Sequence, residues 1–405
     1  MKCNVAFLWF ISFLVILPLL AQKWVFSPLF FSTQRLRDMA ADLVDDYNHL
    51  RYLEAEKFFQ NFGRADEEPS HEGESKDFAV VVITRKRFVC NEADEFDCEP
   101  HYLQQTLAAL HRERKLVPAH SIPIIVCNVD SHWEGHLDFV EILKFFPIIM
   151  RYENKEDFIP SNKKQETSDY AFCLEEVWKR YQRFNYLIAF EDDAIVFDNF
   201  FHTINSILKY RIETRTARGE KHTNELRWCW MKLYFPEFWS GFGWDANRLW
   251  ELFWIFVAGG MIGTILAFLA QMFKRSKIFV FWWACNGALY LLLLVFFMGR
   301  PTWLEIRRIH EFLMQVTTDS GCCSTVGVIY PMDEVPKIVG YLQSSICRRC
   351  SSGVDLAIRD YKDKFKMLGF LVQPNLARHI GLHSTVSADY KDPIQMLFYD
   401  FLSWR

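Results

Sequence analysis

The sequence lacks a strong charge imbalance and any long basic block. Its 405 residues carry a formal net charge of −4, with 46 Lys and Arg residues against 50 Asp and Glu residues. This balance gives no support for a nucleic-acid partner, which normally requires a basic patch or run. No internal repeat is visible. No Asn-x-Ser/Thr sequon occurs, so N-glycosylation of the native chain cannot report the side of a membrane on which a segment lies.

Apolar and aromatic residues are abundant, at 51% and 17% of the chain. Three uncharged stretches are each long enough to cross a bilayer as a helix, which takes about 20 residues. They run from Cys3 to Gln22, from Leu252 to Phe273 and from Ile278 to Met298. For the first stretch, a cleaved signal peptide is the alternative. Its apolar part is long for such a peptide and no clear small-x-small site follows, so we expect an uncleaved anchor.

The four residues from Lys274 to Lys277 join the second and third stretches and predict a tight helical hairpin. Their three positive charges favour the cytosolic side of the membrane. We therefore expect residues 24–251 and 299–405 to lie together on the other side. Because a hairpin returns the chain to the side it left, the segments before and after it can build one domain.

Nine of the eleven cysteines lie outside the apolar stretches, and this usage fits an oxidising compartment. Nine is odd, so at least one thiol is free or pairs between chains. The sequence Cys347-Arg-Arg-Cys350 has redox-motif spacing, yet no thioredoxin-like pattern surrounds it. A zinc site that adds Cys322 and Cys323 is a second interpretation, although adjacent cysteines seldom share one tetrahedral metal. Structural disulfides are favoured.

Short apolar runs alternate with helical patterns on both sides of the hairpin, which predicts an α/β sheet. The predicted strands are 78–84, 122–128, 148–152, 186–190, 230–234, 326–330 and 370–373. The predicted helices are 36–59, 101–115, 168–182, 200–210, 333–345 and 354–368. The expected organisation is an anchor at 1–23, a stem and linker at 24–77, a first domain part at 78–251, the hairpin at 252–298 and a second domain part at 299–405.

Three adjacent carboxylates, Glu191, Asp192 and Asp193, directly follow the strand 186–190. Like charges about 4 Å apart repel by roughly 4 kcal/mol at an effective dielectric constant near 20. In α/β sheets ligands bind beyond the carboxyl ends of the strands. A divalent cation and a diphosphate bound there would offset the repulsion, and oxygen ligands suit magnesium or manganese. A solvated acidic turn is the alternative, and the placement at a strand end favours the metal site.

The triplet is one of several motifs that occur in order along the chain. They are CNV at 127–129, RYE at 151–153, DYAFCLE at 169–175, EDDA at 191–194, KLYFPE at 232–237, the pair at 322–323 and PNLARHIGLHS at 374–384. In these motifs, from about Phe78 to Val386, the chain resembles the post-GPI-attachment N-acetylgalactosaminyltransferase family of the Golgi. That family also splits a GT-A domain with a transmembrane hairpin. The HIGLHS stretch is also similar to the N-acetylglucosaminyltransferase IV family, a related GT-A group.

The resemblance implies a GT-A-like, Rossmann-type glycosyltransferase domain in the Golgi lumen, held by a multi-pass membrane protein. The implied reaction moves N-acetylgalactosamine from UDP-GalNAc to a mannose of the GPI glycan, with Mn²⁺ or Mg²⁺ as cofactor and GPI-anchored proteins as acceptors. By the GT-A pattern Asp193 binds the metal directly. Glu191 and Asp192 face the ribose or metal-bound water, and Glu191 also belongs to the predicted metal group. His379 either completes the metal shell or hydrogen-bonds its own loop.

Asp355 is the first choice for the base that removes the acceptor proton. It stands at the start of a predicted helix, where a carboxylate is also an ordinary partner of the helix dipole. Glu237 is the second choice. Lys232 follows an apolar strand and is expected to contact phosphate or acceptor, with a solvated lysine as the alternative. The resemblance also predicts disulfides Cys127–Cys173 and Cys322–Cys323.

The chain departs from the family pattern after its first strand, where the family carries an acidic residue. Here the residues are Thr84-Arg85-Lys86-Arg87. We expect the uracil near Thr84 and the diphosphate near Arg85 or Arg87, with a solvated basic turn as the favoured alternative. The departure leaves donor preference open. It also supports the alternative function, a non-catalytic membrane scaffold or GPI-binding protein that retains the fold. A phosphate-hydrolysing metalloenzyme is less favoured, because no second metal set is visible.

Overall fold

The computed structural model describes residues 9–21, 27, 34–62, 77–87, 100–117, 122–152, 162–213, 227–274, 279–318, 324–344 and 347–383. The chain divides into two compact units. The described residues of 40–236 and 310–399 form the first, here called the sheet unit. Those of 1–39 and 237–309 form the second, here called the apolar-helix unit.

Ten strands and eleven α-helices make up the described chain. The strands are β1 Phe78–Thr84, β2 Ile124–Asn128, β3 Ile148–Met150, β4 Tyr186–Glu191, β5 Ala194–Val196, β6 Trp228–Lys232, β7 Gln315–Thr318, β8 Gly327–Pro331, β9 Leu368–Gln373 and β10 Ala377–His379. The helices are α1 Leu17–Ala21, α2 Gln34–Gln60, α3 Tyr102–Lys115, α4 Leu137–Ile142, α5 Lys163–Tyr181, α6 Phe200–Ile207, α7 Ala246–Lys274, α8 Val280–Met298, α9 Arg300–Glu305, α10 Val335–Leu342 and α11 Val354–Phe365. All seven predicted strands are present, whereas β5, β7, β10, α4 and α9 were not predicted.

Eight strands form one large mixed sheet in the order β3-β2-β1-β4-β8-β6-β9-β7. Strands β1 to β4 are parallel, β8 runs antiparallel to both β4 and β6, and β7 runs antiparallel to β9. The sheet therefore combines strands that precede the two long apolar helices with strands that follow them. The α/β class is confirmed.

Both faces of the sheet are covered. Phe78, Val80 and Val82 of β1 belong to one apolar core together with residues of α3 and α6, and Ala79 and Val81 belong to a second with residues of α5, α10 and α11. This burial on both sides explains why β1 is a continuous apolar run without alternation. The predicted disulfide Cys127–Cys173 is confirmed, and it ties β2 to α5 within the second core.

The order of the strands creates a crevice at one edge of the sheet. From β1 the chain moves to β2 and β3 on one side and then returns to β4 on the other side. At such a switch point the connections diverge beyond the carboxyl ends of the strands, and ligands bind in the space between them. Thr84 ends β1 and Glu191 ends β4, so these two predicted site residues share this edge.

A second, two-stranded sheet pairs β5 with β10 in antiparallel register, with His379 opposite Ala194. Because β5 begins directly after Asp193, this pairing carries the loop that follows β9 to the acidic triplet. Two segments almost two hundred residues apart in the chain thus meet at the carboxyl edge of the large sheet.

The apolar-helix unit contains two helices that are long and apolar enough to cross a membrane, Ala246–Met272 and Val280–Met298. They pack closely at glycines: a Cβ atom at Gly287 would lie 2.4 Å from the carbonyl oxygen of Gly259. Residues 275–278 lie outside the described chain, as do residues 1–8. The described part of the first apolar stretch, Trp9–Leu20, is an apolar helix shorter than a bilayer span, so the N-terminal anchor stays a prediction.

Cys347 and Cys350 form a disulfide, which agrees with structural pairing and removes them from the four-cysteine zinc site. Among the described residues, Cys229 and Cys285 are free thiols. The predicted Cys322–Cys323 pair lies outside the described residues.

Candidate functional site

Asp192 is tied to the end of β1. Thr84 donates a hydrogen bond through Oγ1 to Asp192 Oδ2 at 2.9 Å, and the Arg85 amide donates to the same oxygen at 3.3 Å. Thr106 of α3 donates to the Asp192 carbonyl oxygen at 2.6 Å. The side chains of Thr84 and Asp192 are both buried. This carboxylate therefore joins the carboxyl ends of β1 and β4 and holds the crevice in shape.

Arg87 lies across the acidic triplet. Its Nη2 is 2.6 Å from Asp192 Oδ1, its Nη1 is 2.8 Å from Asp193 Oδ2, and Nη1 also donates to the His383 carbonyl oxygen at 2.6 Å. The side chain is 9% exposed, so the expectation of a solvated basic turn is wrong for this residue. Burial by itself lowers the pKa of Arg87, but the charges of Asp192 and Asp193 outweigh it and raise that pKa above its ordinary value.

This arrangement adds to the expectation about charge in the triplet. From the sequence we expect a bound dication and a diphosphate to offset the repulsion between the carboxylates. In the structure the guanidinium of Arg87 already pairs with two of the three. The carboxylates therefore have a counter-ion that belongs to the protein.

Glu191, Asp193 and His379 form a group that could hold a metal ion. One ligand atom from each residue lies within 4.8 Å of the other two. His379 Nε2 is 2.9 Å from Asp193 Oδ2, and Thr325 donates through Oγ1 to Glu191 Oε1 at 2.8 Å. Two carboxylates and one imidazole are donors that Mn²⁺ accepts, and the carboxylates also suit Mg²⁺. The donor set fits the predicted cation.

Gly381 fixes the position of the Asp193 side chain. A Cβ atom at Gly381 would lie 1.9 Å from Asp193 Oδ2 and 2.7 Å from Asp193 Cγ. The Ile380 amide also donates to the Asp193 carbonyl oxygen at 2.9 Å. The loop after β10 therefore packs directly on this carboxylate, and only glycine leaves room for it.

A cleft opens beside the triplet. Its lining residues are Ile83, Thr84, Arg85, Arg87, Val129, Glu166, Asp169, Tyr170, Glu191, Asp192, Thr325 and Val354. The structure thus brings together four of the predicted nucleotide-contacting residues, namely Thr84, Arg85, Glu191 and Asp192. The metal group joins them through Glu191.

The remaining predicted residues are placed differently. Asp355 is half-buried in the first turn of α11, where its Oδ1 accepts a hydrogen bond from the Leu356 amide at 2.8 Å, and its neighbour Val354 lines the cleft. Lys232, the last residue of β6, is 4% exposed, so the alternative of a solvated lysine is wrong. Glu237 is buried in a short 3₁₀ helix, Glu237–Trp239, and belongs to the apolar-helix unit.

Two acidic residues of α5, Glu166 and Asp169, line the cleft and were missed from the sequence. Burial raises the pKa of both, and the charge of Asp355 raises the pKa of Glu166 further. Tyr152 donates a hydrogen bond to Asp169 Oδ1 at 2.8 Å. The available signal was their spacing of three residues, which puts them on one face of a helix.

Tyr102 supports the loop that carries His379 and Gly381. Its hydroxyl accepts a hydrogen bond from the Leu382 amide at 3.1 Å, and the guanidinium carbon of Arg87 lies 5.6 Å from its ring centroid. Burial raises the pKa of Tyr102 to about 12, so the hydroxyl stays protonated in the physiological range.

Comparison with protein families gives a match that covers most of the chain. The family model described as GPI-N-acetylgalactosamine transferase PGAP4 matches residues 78–378, about three quarters of the chain. The matched region begins at β1 and ends within β10, so it includes the strands that build the cleft and the edge at which the acidic triplet lies.

Proposed function

The chain belongs to the GPI-N-acetylgalactosamine transferase PGAP4 family, and on that premise we propose that it transfers N-acetylgalactosamine from UDP-GalNAc to a mannose of the GPI-anchor glycan. The observation that carries the proposal is the meeting of Glu191, Asp193 and His379 beside a cleft at the switch point of the sheet. A nucleotide diphosphate and a cation are the ligands for which such an edge is suited.

In the proposed GT-A-type site, Thr84 and Arg85 lie at the nucleoside end of the cleft and Asp192 holds the two strands together. Asp193, Glu191 and His379 would hold Mn²⁺ or Mg²⁺, which when bound acts as a Lewis acid on the leaving diphosphate. Arg87 lines the same cleft, and its planar guanidinium suits phosphate oxygens. The protein thus supplies positive charge at the bond that breaks.

The acceptor hydroxyl needs a base within hydrogen-bond reach. We keep Asp355 as the first candidate, with Glu237 as the second, and add Glu166 because it lines the cleft and its pKa is raised. A carboxylate with a raised pKa is a better proton acceptor than an ordinary one. Lys232 would act from the carboxyl end of β6, in contact with the phosphate or the acceptor.

We further propose that the protein is a multi-pass protein of the Golgi membrane with its catalytic residues in the lumen. The two long apolar helices support membrane association. In this arrangement residues 1–23 anchor the chain, residues 24–77 form a stem, and residues 78–251 and 299–405 share one domain on either side of the hairpin 252–298. GPI-anchored proteins are the acceptors, and their glycans lie close to the same membrane surface.

The alternative is a non-catalytic scaffold or GPI-binding protein that retains the fold. A scaffold has no need for a cation group beside a cleft, so this group favours the enzyme. The departure from the family pattern at residues 84–87 favours the scaffold less than the sequence suggests, because Thr84 donates a buried hydrogen bond to Asp192.

Calorimetry on the purified full chain in detergent tests the proposal. We expect UDP and UDP-GalNAc to bind in the presence of Mn²⁺ and the Asp193→Asn and Glu191→Gln variants to lose at least tenfold in affinity. Asp363→Asn, on the exposed side of α11, is the matched control and is expected to bind like the wild type. Equal nucleotide binding by all four proteins would contradict the site. Binding of UDP-GalNAc without transfer of its N-acetylgalactosamine to a mannose-containing GPI glycan, and so without acceptor-dependent release of UDP, would favour the scaffold.

A further inference from the structure

The guanidinium of Arg87 lies against Asp193, where a metal ion bound to this carboxylate would otherwise lie. Asp193 Oδ2 lies 2.8 Å from Arg87 Nη1 and 2.9 Å from His379 Nε2. The same carboxylate belongs to the group that could hold a metal ion. The guanidinium thus lies where it competes with a cation for Asp193.

The guanidinium is held firmly in this place. It is almost fully buried, pairs with two carboxylates and donates to the His383 carbonyl oxygen. A divalent cation bound to Asp193 would lie within a few ångströms of this positive charge. In a partly buried site the two cations repel strongly. Metal binding therefore requires that Arg87 leave Asp193 or that a further anion arrive.

The cleft offers that anion. Arg87 lines the cleft beside Thr84 and Arg85, on the side where the nucleotide is proposed to bind. A guanidinium presents several donors in one plane and pairs with two phosphate oxygens at once. A diphosphate can therefore accept the hydrogen bonds that Asp193 gives up.

We propose that Arg87 couples metal binding to nucleotide binding by exchanging partners between Asp193 and the diphosphate. In the free protein Arg87 holds Asp192 and Asp193 in place and keeps the affinity for the metal alone low. When a nucleoside diphosphate enters, Arg87 turns to it and Asp193 becomes available to the cation. This inference rests on the proposed function, because it assumes a cation and a nucleotide diphosphate in the same site.

Because of this exchange, the binding of either ligand raises the affinity of the protein for the other. Coupling between two binding sites is reciprocal, so the factor by which UDP tightens Mn²⁺ equals the factor by which Mn²⁺ tightens UDP. We expect this factor to be at least tenfold in the wild type. In Arg87→Gln, Mn²⁺ alone is expected to bind at least tenfold more tightly than to the wild type, and the coupling factor is expected to fall below three.

The experiment measures Mn²⁺ binding by electron paramagnetic resonance of the free ion, without and with saturating UDP, on the full chain in detergent. UDP binding is measured by calorimetry with and without Mn²⁺. Arg180→Gln removes an exposed arginine of α5 and is the matched control, expected to behave like the wild type. If Arg87→Gln does not fold, Arg87→Lys carries the test. It keeps a charge but loses the planar fork, and we expect its coupling factor to fall at least threefold.

The outcomes separate this inference from the proposed function. If the wild type binds neither Mn²⁺ nor UDP, the proposed function fails. If it binds both and the Arg87 variants show the same coupling as the wild type, the exchange is wrong while the function stands. If UDP binds tightly without metal and Arg87→Gln abolishes this binding, Arg87 replaces the cation permanently, and the exchange is likewise wrong.

Discussion

A methyl group at Gly381 would collide with the carboxylate on which the proposed site depends. In Gly381→Ala the new Cβ atom would begin 1.9 Å from Asp193 Oδ2, 2.7 Å from Cγ and 3.0 Å from Cβ of the same residue. Contacts with a Cβ atom are essentially never shorter than 3.0 Å, so the oxygen must retreat by more than 1 Å. The contact with Asp193 Cβ lies at this limit, so rotation of the Asp193 side chain about its Cα–Cβ bond, which moves both Cγ and Oδ2, is the least costly response.

That rotation breaks two short contacts at once, because Oδ2 faces both Arg87 and His379. A hydrogen bond to a charged group contributes about 1.5–3 kcal/mol, and overpacking costs about 1–3 kcal/mol. Partial relaxation recovers some of this, so we expect a loss of about 2–5 kcal/mol in the free energy of unfolding. Metal-dependent UDP affinity is expected to fall at least tenfold.

Thermal unfolding and calorimetry of the detergent-solubilised chain measure the two effects. Gly340→Ala is the control, since nothing lies within 4 Å of a Cβ atom at this exposed position of α10. Alanine in a helix is favoured over glycine by about 0.5–1 kcal/mol, so the control should be slightly stabilised with unchanged binding. If Gly381→Ala unfolded at the wild-type temperature and bound UDP normally, the Asp193 carboxylate would not be held as described.

Two further predictions concern stability. The Cys127–Cys173 disulfide closes a loop with a sequence separation of 46, for which chain entropy predicts a contribution of about 4 kcal/mol to the free energy of unfolding. A Cys127→Ser/Cys173→Ser double variant should therefore unfold at a markedly lower temperature. Labelling of both cysteines without reduction would contradict the disulfide itself. Burial and Asp355 raise the pKa of Glu166 from 4.5, so its protonated form stabilises the fold at low pH, and this contribution is lost as the pH rises through the raised value. Glu166→Gln should therefore raise the unfolding temperature at neutral pH and have little effect near pH 4. The control Glu176→Gln, outside the cleft, should not show this difference between the two pH values. An equal effect of Glu166→Gln at both pH values would refute the raised pKa of Glu166.

The strand ends of the site could be predicted from sequence because β1 and β4 are continuous apolar runs bounded by polar residues. Such runs indicate buried strands, and ligand sites in α/β sheets lie at their carboxyl ends. The placement of Thr84 and Glu191 at one edge follows from these two rules. Cys127 and Cys173 were paired through family resemblance rather than through periodicity.

The approach of His379 to Asp193 could not be predicted in this way. It depends on β5 and β10, which have three residues each and are too short for a period to be detected. β10 also contains Arg378 and His379, polar residues that do not indicate a strand. Their pairing is decided by tertiary packing and not by a local pattern.

The burial of Arg87 was missed for a similar reason. Arg85, Lys86 and Arg87 are three consecutive basic residues, and a solvated turn is their usual structure. Which of them is buried depends on contacts with the carboxylates that directly follow β4, and Asp192 is 105 residues further along the chain than Arg87. Glu166 likewise resembles any exposed helix carboxylate until α5 packs beside the cleft.

The position of β8 has a consequence for biosynthesis. This strand lies between β4 and β6, yet both of those neighbours leave the ribosome before the two long apolar helices, and β8 leaves after them. While the helices are being made, β4 and β6 each have an edge that is still unpaired in the nascent sheet. These two edges are paired only when β8 inserts between them. Unpaired edges of this kind attract aggregation, and distant strand pairing is slow. We therefore expect the newly made chain to need chaperone protection until β8 has been translated, and truncations before β8 to be degraded.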